Sequence, residues 1–293
     1  MSAGPLLDLA APLAARPLGA TFGAELTDVR IAGDLPQAEI DAVLDALHAH
    51  GVLLLRNLPR DPAAQVAFSR RLGALELHSA SAHTHPEHPE IFCVGNVEEP
   101  GGLKANFATG VEQWHADSSY RAVPSRASLF YAAIVPPEGG ETWLLDASTA
   151  YEELPAAMQA RIEGLRAVHD LNTLAEWNRR HTPGKAPLSE ETRRRFPPVS
   201  QPLVRVHPVT GRRSLLLCPA VISRVEGLSQ AEGEALIAAL MRHAAQERYV
   251  YRHRWRVGDL VIWDNLATLH TASLFDHTRY QRLMFRTTVA GTA

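Results

Sequence analysis

The sequence predicts a fold that is mainly β with flanking helices, either an antiparallel barrel or a double-sheet jelly roll. After residue 90, predicted strands outnumber predicted helices, and most are joined by short turns or irregular segments. The chain also lacks the regular strand–helix alternation of doubly wound proteins, a Gly-x-Gly-x-x-Gly motif and a phosphate-binding loop. Because no biased linker divides the 293 residues, we expect a single domain spanning residues 1–293.

Composition excludes several classes of protein. Hydrophobic residues make up 46% of the chain and charged residues 21%, as in an ordinary globular domain. A net charge of -3 argues against a nucleic-acid-binding surface, and no apolar run approaches the roughly 20 residues of a membrane-spanning helix. Two cysteines are too few for a disulfide framework, and the first 20 residues lack the basic region of a signal peptide. We therefore expect a cytoplasmic protein that binds a small-molecule substrate and at most assembles into a dimer or tetramer.

The first predicted elements are helices that flank a short buried strand. Residues 36–50 carry an apolar stripe, and Gly51 stands where a helix C-terminal cap belongs. The apolar run 52–55 predicts a buried strand. Asp61 and Pro62 then supply an N-cap and a first helical residue for a second helix.

Strands dominate the middle of the chain. Residues 91–97, 128–135 and 142–145 have the composition of strands, and a turn of two prolines and two glycines separates the last two. Apart from its one strand, the segment 79–100 has the composition of a loop.

The second half is predicted to contain two helices and five strands. The helices are 155–163 and the segment after the capping box of Ser229 and Glu232. The strands are 201–207, 214–218, 249–257, 260–263 and 283–289. The polar segment 180–200, with four prolines and three consecutive arginines, is predicted to be a lid, with an ordinary solvated loop as the alternative.

A His-x-Asp pair stands out among the 14 histidines. On a strand, the side chains of His115 and Asp117 would face the same side and could bind one metal ion. A second histidine from elsewhere would complete the facial triad of non-haem Fe(II) oxygenases. Such a pair on its own is common by chance and does not identify a metal site.

A rival cluster of possible metal ligands lies in residues 83–90. It contains the side chains His83, His85, Glu87, His88 and Glu90. The two prolines between them make the segment an irregular loop, which disfavours a regular face of ligands. A position at the rim of a substrate pocket is the better interpretation of this cluster.

The last strand carries two arginines. Arg282 and Arg286 are four residues apart and share a strand face, pointing inwards if Leu283 and Phe285 point outwards. Two guanidinium groups on one face need anionic partners, and a dicarboxylate would supply one of them. A strand of surface ion pairs is the alternative.

Four blocks of sequence, in this order and at these spacings, resemble the Fe(II)- and 2-oxoglutarate-dependent dioxygenases of the taurine dioxygenase and 2,4-dichlorophenoxyacetate dioxygenase family. The blocks are Trp-His-Ala-Asp-Ser at 114–118, Pro-Pro-Glu-Gly-Gly-Glu-Thr at 136–142, Trp-Asp-Asn-Leu-Ala-Thr-Leu-His at 263–270 and Arg-Leu-Met-Phe-Arg at 282–286. The resemblance extends over about residues 18–291 and implies a double-stranded β-helix, the cupin-like jelly roll.

The resemblance also implies which residues bind the metal and the cosubstrate. His115, Asp117 and His270 match the iron ligands. Thr142 and Arg282 match the pair that binds the distal carboxylate of 2-oxoglutarate.

Two further positions follow from the same resemblance. Trp263 matches a tryptophan near the iron and the cosubstrate. Arg286 matches a second arginine, which in relatives faces a substrate anion or the cosubstrate. We expect it to bind the anion of a small carboxylic or sulfonic acid, and a neutral or zwitterionic substrate is the alternative.

The chemistry implied is the oxidation of an unactivated carbon with Fe(II), 2-oxoglutarate and O2, releasing succinate and CO2. Asp117 argues against halogenation, because halogenating relatives carry a small residue there. Desaturation or another oxidation remains open, since the outcome depends on fine geometry. A jelly-roll binding module without catalysis is a remote alternative, which the intact set of ligands and arginines disfavours.

Overall fold

The computed structural model describes residues 13–19, 21–27, 29–78, 81–108, 112–182 and 184–292. The strands are β1 (Ala15–Pro17), β2 (Ala24–Leu26), β3 (Val52–Leu55), β4 (Phe92–Gly95), β5 (Glu98–Glu99), β6 (Leu103–Lys104), β7 (Ala127–Ile134), β8 (Thr142–Asp146), β9 (Arg166–His169), β10 (Val199–Pro202), β11 (Val204–Val206), β12 (Arg213–Leu215), β13 (Ile222–Val225), β14 (Val250–His253), β15 (Leu260–Asp264), β16 (Thr268–Ala272) and β17 (Leu283–Val289). The α-helices are α1 (Gln37–His50), α2 (Pro62–Leu72), α3 (Ala147–Glu152), α4 (Ala156–Ile162), α5 (Leu171–His181), α6 (Glu190–Arg195) and α7 (Gln230–Ala244).

The larger sheet has seven strands in the order β1-β2-β3-β15-β7-β17-β4, and its central strands are buried on both faces. In β3, Leu53 and Leu55 pack against α1 and α2, whereas Val52 and Leu54 point to the opposite face. This alternation follows from the two-residue period of a strand. A strand buried on both faces needs apolar side chains at every position, which explains the continuous apolar run at residues 52–55.

The smaller sheet, β14-β8-β16, packs against the inner face of the larger one. Leu144 of β8 shares one buried cluster with Phe130, Trp263 and Met284 of the larger sheet. The other face of the smaller sheet is covered by α3 and α7. Two facing, mainly antiparallel sheets with helices outside form the predicted jelly roll, so the prediction of this fold class is confirmed.

Local signals in the sequence place three helix ends correctly. Gly51 ends α1 in a left-handed conformation with a φ of 70°. Asp61 accepts a hydrogen bond of 2.9 Å from the backbone N–H of Ala64 at the start of α2. The capping box of Ser229 and Glu232 is formed at the start of α7.

One strand is shorter than the sequence predicts. The strand expected at 249–257 covers only Val250–His253, because Asp259 accepts a hydrogen bond from the backbone N–H of Arg256 and turns the chain there. Leu283 and Phe285 point away from the cavity, as predicted, and are buried there in the core with residues of α1 and α2. Within the polar segment 180–200, the structure forms the end of α5, the helix α6 and the start of β10.

Among the described residues, no helix is both long enough and apolar enough to cross a bilayer.

Candidate active site

A cavity of about 930 Å³ lies between the two sheets. Its wall includes every side chain that the sequence assigns to the site, namely His115, Asp117, Thr142, Trp263, His270, Arg282 and Arg286. The larger sheet contributes Trp263 and Arg286, and Arg282 immediately precedes its strand β17. The smaller sheet contributes Thr142 and His270. The helix α5 and the segment 184–189 line another part of the wall.

The two histidines are brought together by backbone pairing. The N–H of His115 donates to the carbonyl of His270 at 3.0 Å, and the N–H of His270 donates back at 2.8 Å. Their ring centroids lie 4.1 Å apart. One atom from each histidine and one oxygen of Asp117 all lie within 4.8 Å of one another, close enough to hold one ion.

The expected strand around His115 and Asp117 is not formed. His115 makes a single bridge to β16, and the chain then turns, so that Ser118 has a positive φ of 55°. A non-glycine residue in this conformation carries strain, and such strain is often found at functional sites.

Asp117 is held as an oriented carboxylate. Ser128 donates a hydrogen bond of 2.7 Å to its Oδ2, and Nη1 of Arg286 donates one of 2.7 Å to its Oδ1. Burial favours the neutral acid, but Arg286, His270 and His115 hold the pKa of Asp117 below its usual value. The carboxylate is therefore ionised, as a metal ligand must be.

The histidines are also suited to bind a metal. Nδ1 of His115 donates to the carbonyl of Gln113 at 2.8 Å, which leaves its Nε2 lone pair for an ion. Burial lowers the pKa of His270 to about 3, so this imidazole is neutral. Its Nδ1 has no hydrogen-bond partner among the described residues. Two neutral imidazoles and one carboxylate are the donor set that non-haem Fe(II) prefers.

A second group of possible ligands, His48, His207 and Asp264, fits a metal less well. His207 accepts backbone hydrogen bonds at Nδ1, so its Nε2 carries the proton and donates to Asp264 at 2.8 Å. Arg126 contacts Nε2 of His48 at 3.0 Å. Because the ring nitrogens of His207 are already hydrogen-bonded and the guanidinium of Arg126 lies beside His48, we interpret this group as a hydrogen-bonded network.

Arg282 is a buried cation that faces the cavity. Its Nε and Nη2 have no hydrogen-bond partner among the described residues, and burial lowers its pKa to about 10. Gly140 leaves room for it, since a Cβ at that position would lie 3.3 Å from Nε of Arg282. Thr142 accepts a hydrogen bond from Trp255, so its hydroxyl proton remains available to an anion. A carboxylate would satisfy both side chains.

Asn265 is a positioning residue to which the sequence analysis gave no role. Its Oδ1 accepts from the backbone N–H of Asp117 and from Nε1 of Trp263, both at 3.1 Å. Its Nδ2 donates to Ser125 and Ser128, at 3.2 Å and 3.0 Å. The signal was the polar residue after Trp-Asp at the end of an apolar strand, because a buried amide needs partners. Asn265 thus links the tryptophan beside His270 to the Asp117 turn.

The cluster 83–90 is divided by the fold. His83 and Glu90 line the cavity, whereas the ring of His85 packs against Phe285, 5.7 Å away between centroids. Among the described residues, this cluster does not form a group of three converging metal ligands. Its predicted position at the pocket rim therefore applies to His83 and Glu90.

The cavity also contains an acid that the sequence analysis overlooked. Glu76 accepts a hydrogen bond of 2.7 Å from the hydroxyl of Ser118 and lies 3.2 Å from Nε of Arg121. Burial raises the pKa of Glu76 above its usual value. This acid supports the turn that carries Asp117.

Comparison with known proteins agrees with this geometry. Residues 14–288 match the family described as Taurine catabolism dioxygenase TauD, TfdA family. The alpha-ketoglutarate-dependent 2,4-dichlorophenoxyacetate dioxygenase of Cupriavidus pinatubonensis is 37% identical over 286 residues, covering 94% of this chain and 97% of that protein. The (S)-phenoxypropionate/alpha-ketoglutarate-dioxygenase of Sphingobium herbicidovorans is 33% identical over 284 residues, covering 94% of both.

A solved structure shows the same fold. The crystal structure of AAD-2 in complex with Mn(II) and N-oxalylglycine has a TM-score of 0.80 and 31% identity, covering 96% of this chain and 98% of that one. The resemblance carried by the four sequence blocks is therefore confirmed. The chain belongs to the TauD/TfdA family of dioxygenases.

Proposed function

We propose that this chain is an Fe(II)- and 2-oxoglutarate-dependent oxygenase that hydroxylates an unactivated carbon of a small organic acid, releasing succinate and CO2. The proposal rests on the observation that two features lie in one cavity. A convergent set of two imidazoles and a carboxylate lies in the same cavity as a buried arginine that lacks an anionic partner. The first feature suits Fe(II), and the second suits a dicarboxylate cosubstrate.

His115, Asp117 and His270 would hold the iron. The bound iron and 2-oxoglutarate supply the oxidising chemistry with O2, and the protein supplies orientation and shielding. Ser128 and Arg286 fix the Asp117 carboxylate through hydrogen bonds of 2.7 Å each.

Arg282 and Thr142 would bind the distal carboxylate of 2-oxoglutarate. The guanidinium offers two parallel N–H groups, and the threonine hydroxyl adds a third donor. The indole of Trp263 packs 4.7 Å from the ring of His270 and is 1% exposed, so it keeps water from that side of the metal site.

An organic acid as substrate is supported by the relatives named for 2,4-dichlorophenoxyacetate and phenoxypropionate. Arg286 stays the predicted contact for its anion. In this structure Nη1 of Arg286 donates to Asp117, and Nε has no hydrogen-bond partner among the described residues. Cytoplasmic location and assembly into a dimer or tetramer likewise remain predictions from the sequence.

A single experiment tests this function. The purified chain is supplied with Fe(II), 2-oxoglutarate and O2 and screened against aryloxy, alkyl and sulfonic acids. Succinate formation that depends on one of these acids, with gain of one oxygen atom by that acid, supports the proposal. Loss of two hydrogens instead would indicate desaturation, and absence of succinate under all conditions would contradict the proposal.

A further inference from the structure

Among the described residues, four lysine and arginine side chains line the cavity, and three of them are accounted for. These are Arg121, Lys185, Arg282 and Arg286. Arg121 lies 3.2 Å from Glu76, and Arg286 lies 2.7 Å from Asp117. Arg282 is assigned above to the cosubstrate. Lys185 remains, and no carboxylate pairs with it among the described residues.

Lys185 lies in the segment 184–189 between α5 and α6 and is half-buried. Its Nζ donates one hydrogen bond of 2.8 Å to Oδ1 of Asn106, a neutral acceptor. An ammonium group has three N–H donors, so two remain for another partner. Burial lowers the pKa of Lys185 because nothing nearby compensates for lost solvation. A desolvated ammonium with spare donors favours an anion.

Part of the cavity wall is apolar. Leu171, Leu174 and Ala175 of α5 and Leu188 of the same segment line this part of the cavity. A ligand that fits this wall carries an apolar body next to an anionic group. Binding sites commonly combine a mainly apolar lining with a few polar groups that set orientation.

We propose that Lys185 binds the anionic group of the substrate, which is a carboxylic, sulfonic or sulfuric acid with an apolar body. This inference rests on the proposed function and names its substrate-selecting residue. Arg286 remains a second predicted contact for that anion and also orients Asp117 through Nη1. Lys185 lies in the segment 180–200, which is predicted to be a lid.

The first test measures binding without turnover. The chain is loaded with Fe(II) and 2-oxoglutarate in the absence of O2 and titrated with 2,4-dichlorophenoxyacetate and octyl sulfate. The neutral probes are 2,4-dichlorophenoxyacetamide and octanol. We expect at least one acid to bind about 10-fold or more tightly than its neutral counterpart. In Lys185→Met that preference should fall to about twofold or less, whereas Lys185→Arg should keep most of it.

Two comparison variants make the result specific. Asn106→Ala removes the neutral acceptor of Lys185 and should keep the acid preference. If Lys185 only fastened this segment, Asn106→Ala and Lys185→Met would weaken the binding of acids and neutral probes to the same extent. Arg286→Gln should weaken metal binding as well as acid preference, because Arg286 also donates to Asp117. The proposal is overturned if the wild-type chain shows no acid preference, if Lys185→Met retains it, or if only Arg286→Gln removes it.

The second test uses the chain's two lysines, Lys104 and Lys185. Lys104 pairs with Glu98 at 2.9 Å and is 58% exposed, so it serves as an internal reference. Competitive acetylation read by mass spectrometry should show slower labelling of Lys185, relative to Lys104, when the bound acid is present. Equal labelling of Lys185 with and without a bound acid would contradict the proposal. Because neither test requires turnover, loss of succinate formation would refute the proposed function separately.

Discussion

Arg286 and Asp117 form a direct ion pair in which Nη1 lies 2.7 Å from Oδ1, although 169 residues separate them in the chain. The pair joins the last strand of the larger sheet to the turn that carries the predicted metal carboxylate. Ser128 occupies the other oxygen at 2.7 Å. Asp117 is therefore oriented by two donors from the larger sheet, Ser128 of β7 and Arg286 of β17. His115 is instead held by backbone pairing with His270 of β16, in the smaller sheet.

Replacing any of the three proposed iron ligands should abolish metal binding. His115→Ala, Asp117→Ala and His270→Ala each remove one donor from a three-residue set. We expect loss of bound Fe(II) and of succinate formation, with far-ultraviolet circular dichroism unchanged. Metal content and activity check this, and wild-type turnover in any of the three variants would exclude that residue as a ligand.

Arg282→Met should weaken binding of 2-oxoglutarate. Loss of a bidentate charged contact to a buried carboxylate costs about 2–5 kcal/mol, which corresponds to a rise of about 30-fold or more in the KM for 2-oxoglutarate. Arg279→Met is the matched control, because Arg279 is 66% exposed and lies outside the cavity wall. An unchanged KM in Arg282→Met would show that another group binds the distal carboxylate.

Ser128→Ala should loosen the metal site without unfolding the chain. The variant removes one of the two donors that orient Asp117, and changes to such supporting groups lower metal affinity about 10- to 100-fold. Calorimetric titration with Mn(II) measures the effect. Ser223→Ala is the control, since its hydroxyl bonds to the carbonyl of Val168 away from the cavity. Equal metal affinity in the two variants would argue against this role of Ser128.

Gly95→Ala should damage the site of Arg282. Gly95 has a φ of 145°, and a Cβ there would collide with the backbone carbonyl of Arg282. Gly102→Ala is the control for backbone strain alone. Gly102 also has a positive φ, of 92°, but a Cβ there would enter open space and collide with nothing. We expect Gly102→Ala to cost about 1 kcal/mol in the free energy of unfolding. Gly95→Ala should cost more and should also raise the KM for 2-oxoglutarate; equal effects would contradict the close approach.

The segment 180–200 stays a predicted lid. Its hydrogen exchange should slow when an acid substrate binds, because Lys185 and Leu188 line the cavity. Exchange measured with and without a bound acid checks this. Identical exchange in the two states would leave the segment an ordinary surface region.

The sequence predicted most of what sets the fold class, because apolar runs such as 52–55 and caps such as Gly51 are local signals. It missed α5, in which Leu171 is the only buried residue while Leu174 and Ala175 face the cavity. It missed α6 because none of the residues of that helix is buried.

The candidate site was predicted through the spacing of four sequence blocks, and its internal contacts were not. Spacing identified His115 and Asp117 but suggested a strand where the chain turns at Ser118. The Arg286–Asp117 pair and the Lys185–Asn106 contact join distant segments, and no local pattern encodes them. Partners of this kind follow from packing alone.

Succinate formation tests the central claim most directly. The wild-type chain should convert 2-oxoglutarate to succinate in a reaction that requires Fe(II) and O2 and is stimulated by an organic acid. Asp117→Ala should form none. Stimulated succinate formation by Asp117→Ala, or none by the wild-type chain with any acid tested, would contradict the account.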